Sequence, residues 1–300
     1  MPTDLHIARQ HGNANSSGDL SLEFFPPARA DGIDRLVATA RRLEVLAPRF
    51  ISMTFGAGGS TRQRSVEAVA AFMGGLASPV AAHITCVAES RAVTEATIAQ
   101  FLALGIRRFV ALRGDAPAEA LSASGFADAV SLVKALSARG VSDISVACYP
   151  EVHPKAASPA ADLDVLKAKF DAGATRAITQ FFLDTSSWLR FRDTLAAHGL
   201  ERRVVPGVLL FEDFFRAADF AGRCGTTVPV RLKERFARWH GDPRGSRSEA
   251  LAFLAEQVAQ LRGNGARHIH FYVLNKAELA LDLLDRPAAV AGARATGAPR

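Results

Sequence analysis

Two acids stand where acids are costly. Glu23 lies in Ser21-Leu22-Glu23-Phe24-Phe25-Pro26-Pro27 and Asp115 in Leu112-Arg113-Gly114-Asp115, each at the end of an apolar, strand-like run beside a chain-breaking residue. Strands bury their side chains, so an ionisable group at a strand tip is unfavourable unless it is employed. Two such acids on separate strand ends point to proton chemistry in a shared pocket. Desolvation beside Phe24, Phe25 and two prolines would raise the Glu23 pKa, as a general acid requires. Arg113 offers positive charge and Gly114 close backbone approach. The plainer readings are a helix cap or surface ion pair for Glu23, and an ion pair closing a turn for Arg113 and Asp115.

Other polar residues fall at the ends of similar runs: Thr54 with Phe55, His83 with Thr85, Tyr149 with Glu151 and His153, Thr179 with Gln180, and Asn275 with Lys276. The run starts lack a matching set. Gly56 to Thr61 tempts a phosphate-loop reading, but it lacks Gly-Lys-Ser/Thr, and Thr61 occupies the last position of G-x-G-x-x-G. His268 and His270 form an H-x-H pair at the start of the last run, which places them on the rim away from the acids. With no third ligand cluster they read as structural, and no metal is expected. Cys86, Cys148 and Cys224 are far apart, which fits buried thiols in a reducing cytoplasm better than zinc or disulfides.

The elements that must position these residues follow a regular rhythm. Val/Ile/Phe-rich runs recur near 20–25, 50–54, 80–86, 107–113, 143–149, 175–182, 203–210 and 268–274. Amphipathic stretches fill the gaps: Asp31 to Leu46, Arg62 to Gly75, Thr94 to Leu104, Ala127 to Leu136, Asp162 to Asp171, Ser186 to Ala197, Phe211 to Gly222 and Ser246 to Arg262. Gly105, Gly140, Gly173 and Gly199 each follow a helical run as stops. Strands alternating with helices imply parallel pairing, and eight units predict a (β/α)8 TIM barrel, with an open doubly wound sheet as the alternative. Pro229 to His240 reads as a short extra helix between strands seven and eight. In a barrel the chemistry lies where strands end, which is where the polar residues gather.

The chain has 300 residues, is 49% hydrophobic, and carries a net charge of +6. No apolar run approaches the roughly 20 residues of a membrane helix, so no membrane association is expected. Basic residues are dispersed, which argues against nucleic acid and is equally explained by an anionic small ligand. Residues 1–17 and 287–300 read as flexible tails around a catalytic barrel spanning 18–286, and the polar start is not a secretory signal.

The chain resembles the 5,10-methylenetetrahydrofolate reductase family over roughly Leu20 to Leu284. The matching segments, in order, are S-L-E-F-F-P-P, S-M-T-F-G-A-G-G-S-T, A-H-I-T-C, A-L-R-G-D, Y-P-E-V-H-P, D-A-G-A-T-R-A-I-T-Q-F-F-L-D and H-F-Y-V-L-N-K-A-E. The resemblance implies a flavin-dependent barrel that reduces 5,10-methylenetetrahydrofolate to 5-methyltetrahydrofolate with NADH or NADPH, through non-covalent FAD in a ping-pong scheme. It assigns Glu23 as general acid and Asp115 between flavin and pterin. Thr54, Phe55, His83, Arg113, Gly114, Asp115, Tyr149, His153, Asp162 and Lys169 resemble flavin contacts, with Phe126 and Ala127 near the adenosine. Gln180 would pair with the pterin, Phe220 would stack on folate or nicotinamide, and Lys276 would hold the glutamyl carboxylate. A cytoplasmic homo-oligomer is expected. The chain stops soon after strand eight, which implies no adenosylmethionine-responsive domain of the eukaryotic kind.

Phe55 departs from a common tyrosine, and Val208 to Phe211 from a proline-bearing strand-seven end. Lys276 stands where an arginine is found, keeping the charge but losing the bidentate fork. Two rivals are a flavin-free reductase of the same fold and a non-enzymatic folate- or flavin-binding subunit.

Overall fold

The computed structural model describes residues 19–56, 59–86, 89–114 and 125–284. Asp115 and the expected tails at 1–17 and 287–300 lie outside the described residues.

The expected alternation is present as a barrel of parallel strands. In chain order the elements are β1 (Leu20–Phe24), α1 (Ile33–Leu43), β2 (Ile51–Met53), α2 (Gly59–Gly75), β3 (Val80–Thr85), α3 (Arg91–Ala103), β4 (Arg108–Leu112), α4 (Ala129–Ser137), β5 (Asp143–Cys148), α5 (Pro159–Asp171) and β6 (Arg176–Thr179). There follow α6 (Thr185–Ala196), β7 (Val204–Val205), β8 (Gly207–Leu209), α7 (Phe214–Arg223), α8 (Val230–Ala237), α9 (Pro243–Gly263), β9 (Ile269–Tyr272) and α10 (Glu278–Leu284). The sheet runs β7-β6-β5-β4-β3-β2-β1-β9-β8.

Strand seven is not the single run expected over 203–210. Pro206 divides it into β7, paired with β6, and β8, paired with β9. Proline has no N–H to give a ladder, so it breaks the strand where the ring turns its corner. The Pro206 carbonyl still accepts from His270 N at 2.9 Å, and Gly207 N donates to Thr179 Oγ1 at 2.8 Å. A Cβ at Gly207 would collide with the Thr179 carbonyl and the Tyr272 ring, so closure here requires glycine.

Local chemistry starts and stops the helices. Ser90, Asp128, Ser158, Asp184, Asp213 and Asp242 cap helix N-termini with their side chains. The four predicted glycine stops all adopt positive φ. The extra helix expected within Pro229 to His240 is α8. Helix α10 escaped the periodicity reading because its 7 residues are too few to show a repeat.

Alternation along β1 explains the two faces of the wall. Leu20, Leu22 and Phe24 join the large cluster between strands and helices. A separate small cluster of Phe50, Ala81, Val110, Ile178 and Val205, with Leu112 and Tyr272, fills the barrel interior. The strand starts are polar as well, contrary to expectation. Arg108 and Arg176 both grip Asp143, at 2.8 and 2.6 Å, and join the first residues of β4, β5 and β6. Among the described residues no helix is long and apolar enough to cross a membrane.

Candidate functional site

Glu23 projects inward near the end of β1, with its side chain 20% exposed. Two imidazoles approach its Oε2: His83 Nε2 from β3 and His270 Nε2 from β9, each at 3.4 Å. His270 was expected at the rim away from the site. In the barrel it faces Ser21 directly, because β1 and β9 pair with Ser21 opposite His270, and its ring reaches along the wall to Glu23. His270 Nδ1 lies 2.7 Å from Ser21 Oγ, and His268 Nε2 lies 2.9 Å from the same oxygen.

These neighbours reverse the expected direction of the Glu23 pKa. Burial pushes the carboxyl up, but the neighbouring His83 imidazole and the His270 hydrogen bond outweigh it, so it sits below the ordinary carboxylate value. Burial pushes His83 down to about 4, with Glu23 pulling it partly back. Tyr272, also buried, is pushed well above its usual range, first by burial and then by the Glu23 charge. Its O–H donates to the Thr179 carbonyl at 2.7 Å.

Glu23 lies level with Tyr272, so the segments that follow β1 and β9 stand side by side above it. Leu274 and Asn275 both take left-handed backbone, and Asn275 clamps β9 to β1. Its Oδ1 accepts from Phe25 N at 3.0 Å and its Nδ2 donates to the Phe25 carbonyl at 2.8 Å. Phe25, Phe220 and Leu274 are among the few exposed large apolar residues, and all three lie on strand-end segments or on α7 beside them. Phe220 stacks on Phe181 with ring centroids 5.5 Å apart. Gln180 follows β6; its Oε1 accepts from Phe181 N, which fixes the amide at the rim.

Thr54 follows β2 level with His83 inside β3, and Arg113 and Gly114 follow β4 just beyond the level of Thr85. Thr54 N donates to the Phe24 carbonyl, and Arg113 presents its carbonyl to Cys86. Phe55 packs edge-on against Phe101. Phe126 is buried under the Arg91 guanidinium at 4.9 Å, and exposed Ala127 precedes the cap of α4. Tyr149, His153, Asp162 and Lys169 form a second group beyond β5. Tyr149 and His153 rings meet at 4.5 Å, His153 N donates to Asp162 Oδ2 at 2.9 Å, and Lys169 Nζ donates to the Ala147 carbonyl at 2.8 Å. Val152 within this loop takes φ 68°, a strained conformation for a β-branched residue. Burial lowers the pKa of both His153 and Lys169.

Lys276, expected to hold a substrate carboxylate, has its Nζ 2.6 Å from Glu212 Oε2, and Arg247 Nε lies 3.1 Å from Glu212 Oε1. These groups line a cavity of about 690 Å³ that also includes Phe220, Arg216 and Arg223. Glu212 and Ser21, not singled out from sequence, and His270, read there as structural, stand among the candidate site residues. The usable signal was the i, i+2 spacing of Ser21 with Glu23 and of His268 with His270, which puts each pair on one strand face. Among the described residues no cluster of metal-ligating side chains occurs.

The chain matches the family model described as methylenetetrahydrofolate reductase over residues 8–287. It is 40% identical over 275 residues to the 5,10-methylenetetrahydrofolate reductase of Pectobacterium carotovorum, covering 91% of this chain and 90% of the relative. Against the Escherichia coli enzyme of that name it is 36% identical over 275 residues, with the same coverage. A solved Clostridium thermocellum protein that binds two copies of 5-methyl-5,6,7,8-tetrahydrofolic acid shares the fold, with TM-score 0.60 and 13% identity over 92% of this chain and 95% of that one.

Proposed function

The chain belongs to the methylenetetrahydrofolate reductase family, and we propose that it reduces 5,10-methylenetetrahydrofolate to 5-methyltetrahydrofolate with NADH or NADPH through bound FAD. The observation that carries this reading is Glu23: a carboxyl near a barrel strand end, 20% exposed and flanked by two imidazoles. The reaction opens a five-membered ring, and the departing nitrogen needs a proton.

The residues present fit a flavin. Thr85 Oγ1 is buried and has no hydrogen-bond partner among the described residues, and His83 Nε2 has only Glu23 Oε2 near it, at 3.4 Å. Buried polar atoms are nearly always paired, so the unpaired Thr85 hydroxyl favours a polar ligand above this strand. Gly114 takes φ 85° and presents bare backbone there. Thr54, His83, Arg113 and Gly114 would hold the ring system, with Phe55 packing beside it. Tyr149, His153, Asp162 and Lys169 would hold the ribityl and phosphate portion, and Phe126 and Ala127 the adenosine. When bound, FAD supplies a two-electron hydride acceptor and donor, which no side chain offers.

The chain's own residues supply the rest. Glu23, ionised in the free chain because its pKa is lowered, would take up a proton and pass it to the leaving nitrogen. Gln180 offers one donor and one acceptor to a pterin edge. Phe220, stacked on Phe181, gives an aromatic wall that excludes water. Lys276, exchanging Glu212 for a substrate carboxylate, anchors the glutamyl tail. The test is NADH oxidation by the purified chain, dependent on methylenetetrahydrofolate. Activity at full rate in a colourless protein would replace the flavin route by direct hydride transfer, and no activity from the lone polypeptide would leave a binding subunit.

A further inference from the structure

The reductase reaction consumes one proton per turnover: methylenetetrahydrofolate, NAD(P)H and H⁺ give methyltetrahydrofolate and NAD(P)⁺. On the reductase reading the substrates bind at the strand-end side, where stacked aromatic ligands would seal Glu23 from solvent. The barrel interior below Glu23 is not purely apolar. Glu23 Oε2, His270 Nε2 and Nδ1, Ser21 Oγ and His268 Nε2 form one continuous chain, with links of 3.4, 2.7 and 2.9 Å. Ser21 and His270 are fully buried, whereas His268 is partly exposed at the strand-start end. Phe50 packs against both imidazoles, with ring centroids 6.1 Å away in each case.

We propose that His268, Ser21 and His270 form a proton relay that recharges Glu23 from the strand-start end of the barrel, so that the acid is resupplied behind the bound ligands. The proposal rests on the reductase reading above. Hydrogen-bond capacity allows one consistent polarity. His270 Nε2–H donates to the Glu23 carboxylate, Ser21 O–H donates to His270 Nδ1, and His268 Nε2–H donates to Ser21 Oγ. A shift along the chain moves one proton onto Glu23 and takes one from solvent at His268 Nδ1. Each group along the chain, the two imidazoles and the hydroxyl, gains one proton and gives one, so none of the three is left charged. Between turnovers the hydroxyl and rings reorient to restore the starting polarity.

The surroundings favour neutral transfer. Arg49, Arg176 and Arg262 face His268, and with burial and His270 they disfavour its charged form. Near the other end stand His83 and Tyr272, neither of which bridges Glu23 to solvent in the described contacts. A lone buried serine between two imidazoles has a plainer structural use, since it satisfies both rings. The relay goes further, because it predicts transfer as well as stability.

The test has three arms. In ¹⁵N-histidine spectra of the substrate-free protein at neutral pH, His268 and His270 should both be Nε2–H tautomers; opposite tautomers in the two rings break the chain at Ser21 and overturn the relay. Ser21→Ala should slow folate reduction by about tenfold or more, within the range of general acid catalysis, while NADH reduction of the bound flavin stays within about twofold. His268→Ala, at the exposed end, should show the same selective loss and recover as free imidazole is added, which a purely structural role would not do. Wild-type folate rates in both variants, equal slowing of both half-reactions, or no recovery with imidazole would overturn it. A wild-type protein that never turns over methylenetetrahydrofolate instead refutes the reductase reading, and the tautomer arm remains separate from that outcome.

Discussion

His83 should make the fold acid-sensitive in a way that one substitution removes. Burial holds its imidazole at about 4 instead of the ordinary 6.5, although Glu23 pulls it up and His270 pushes it further down. Below 6.5 the unfolded chain takes up a proton that the folded chain refuses. A group whose folded pKa is lowered contributes its full stability above the unfolded value and loses it as pH falls toward the folded one. Between pH 7 and pH 5 that loss comes to about 2 kcal/mol for His83, at a limiting slope of about 1.4 kcal/mol per pH unit. Glu23 also has a lowered value, so its contribution is lost at pH below the ordinary 4.5 and stays outside this window. His268, pushed down to about 2, titrates in the same sense as His83. The comparison must therefore be between wild type and His83→Gln. Urea unfolding at several pH values between 7 and 5 should give a curve for His83→Gln that is flatter by about 2 kcal/mol over the window, whatever its loss at pH 7. Parallel curves would mean that burial does not hold His83 neutral, and the account of Glu23's surroundings would fail with it.

Glu23→Gln should leave bleaching of the flavin by NADH within about tenfold while folate reduction falls by about 100-fold or more, since the amide cannot give the proton; stopped-flow absorbance separates the two, and equal slowing would make Glu23 structural. Lys276→Ala should weaken folate binding by about 1 kcal/mol, as for an exposed pair. Glu212→Gln should tighten it, because Lys276 is released from its 2.6 Å partner; fluorescence titration at low and moderate salt decides, and no change in either variant removes both residues from the binding site. The purified protein should be yellow and release FAD on heating, with a visible spectrum as the check.

The barrel was legible because its signals are local. Runs such as Val80–Thr85 and Arg108–Leu112, glycines at 105, 140, 173 and 199, and side-chain caps such as Ser90 act over a few residues, and each could be read where it stands. The acid at Glu23 was legible for the same reason, since its apolar neighbours are adjacent in the chain. Ring closure was less so: Pro206 shows that a strand breaks, but only the pairing of β7 with β6 and β8 with β9 shows that the two halves close the ring. The charge state of Glu23 depended on distance through space. Desolvation alone, the part readable from sequence, predicts a raised carboxyl. The opposing imidazoles come from β3, across β2, and from β9, which closes the barrel against β1. Their effect falls off with separation in ångströms, and folding reduces a sequence separation of 247 residues between Glu23 and His270 to 3.4 Å. The same holds for Lys276, whose charge was evident in the sequence and whose partner Glu212, 64 residues away, was supplied by the packing of neighbouring strand ends. Residue types set which interactions were available, and the closed ring decided which of them are made.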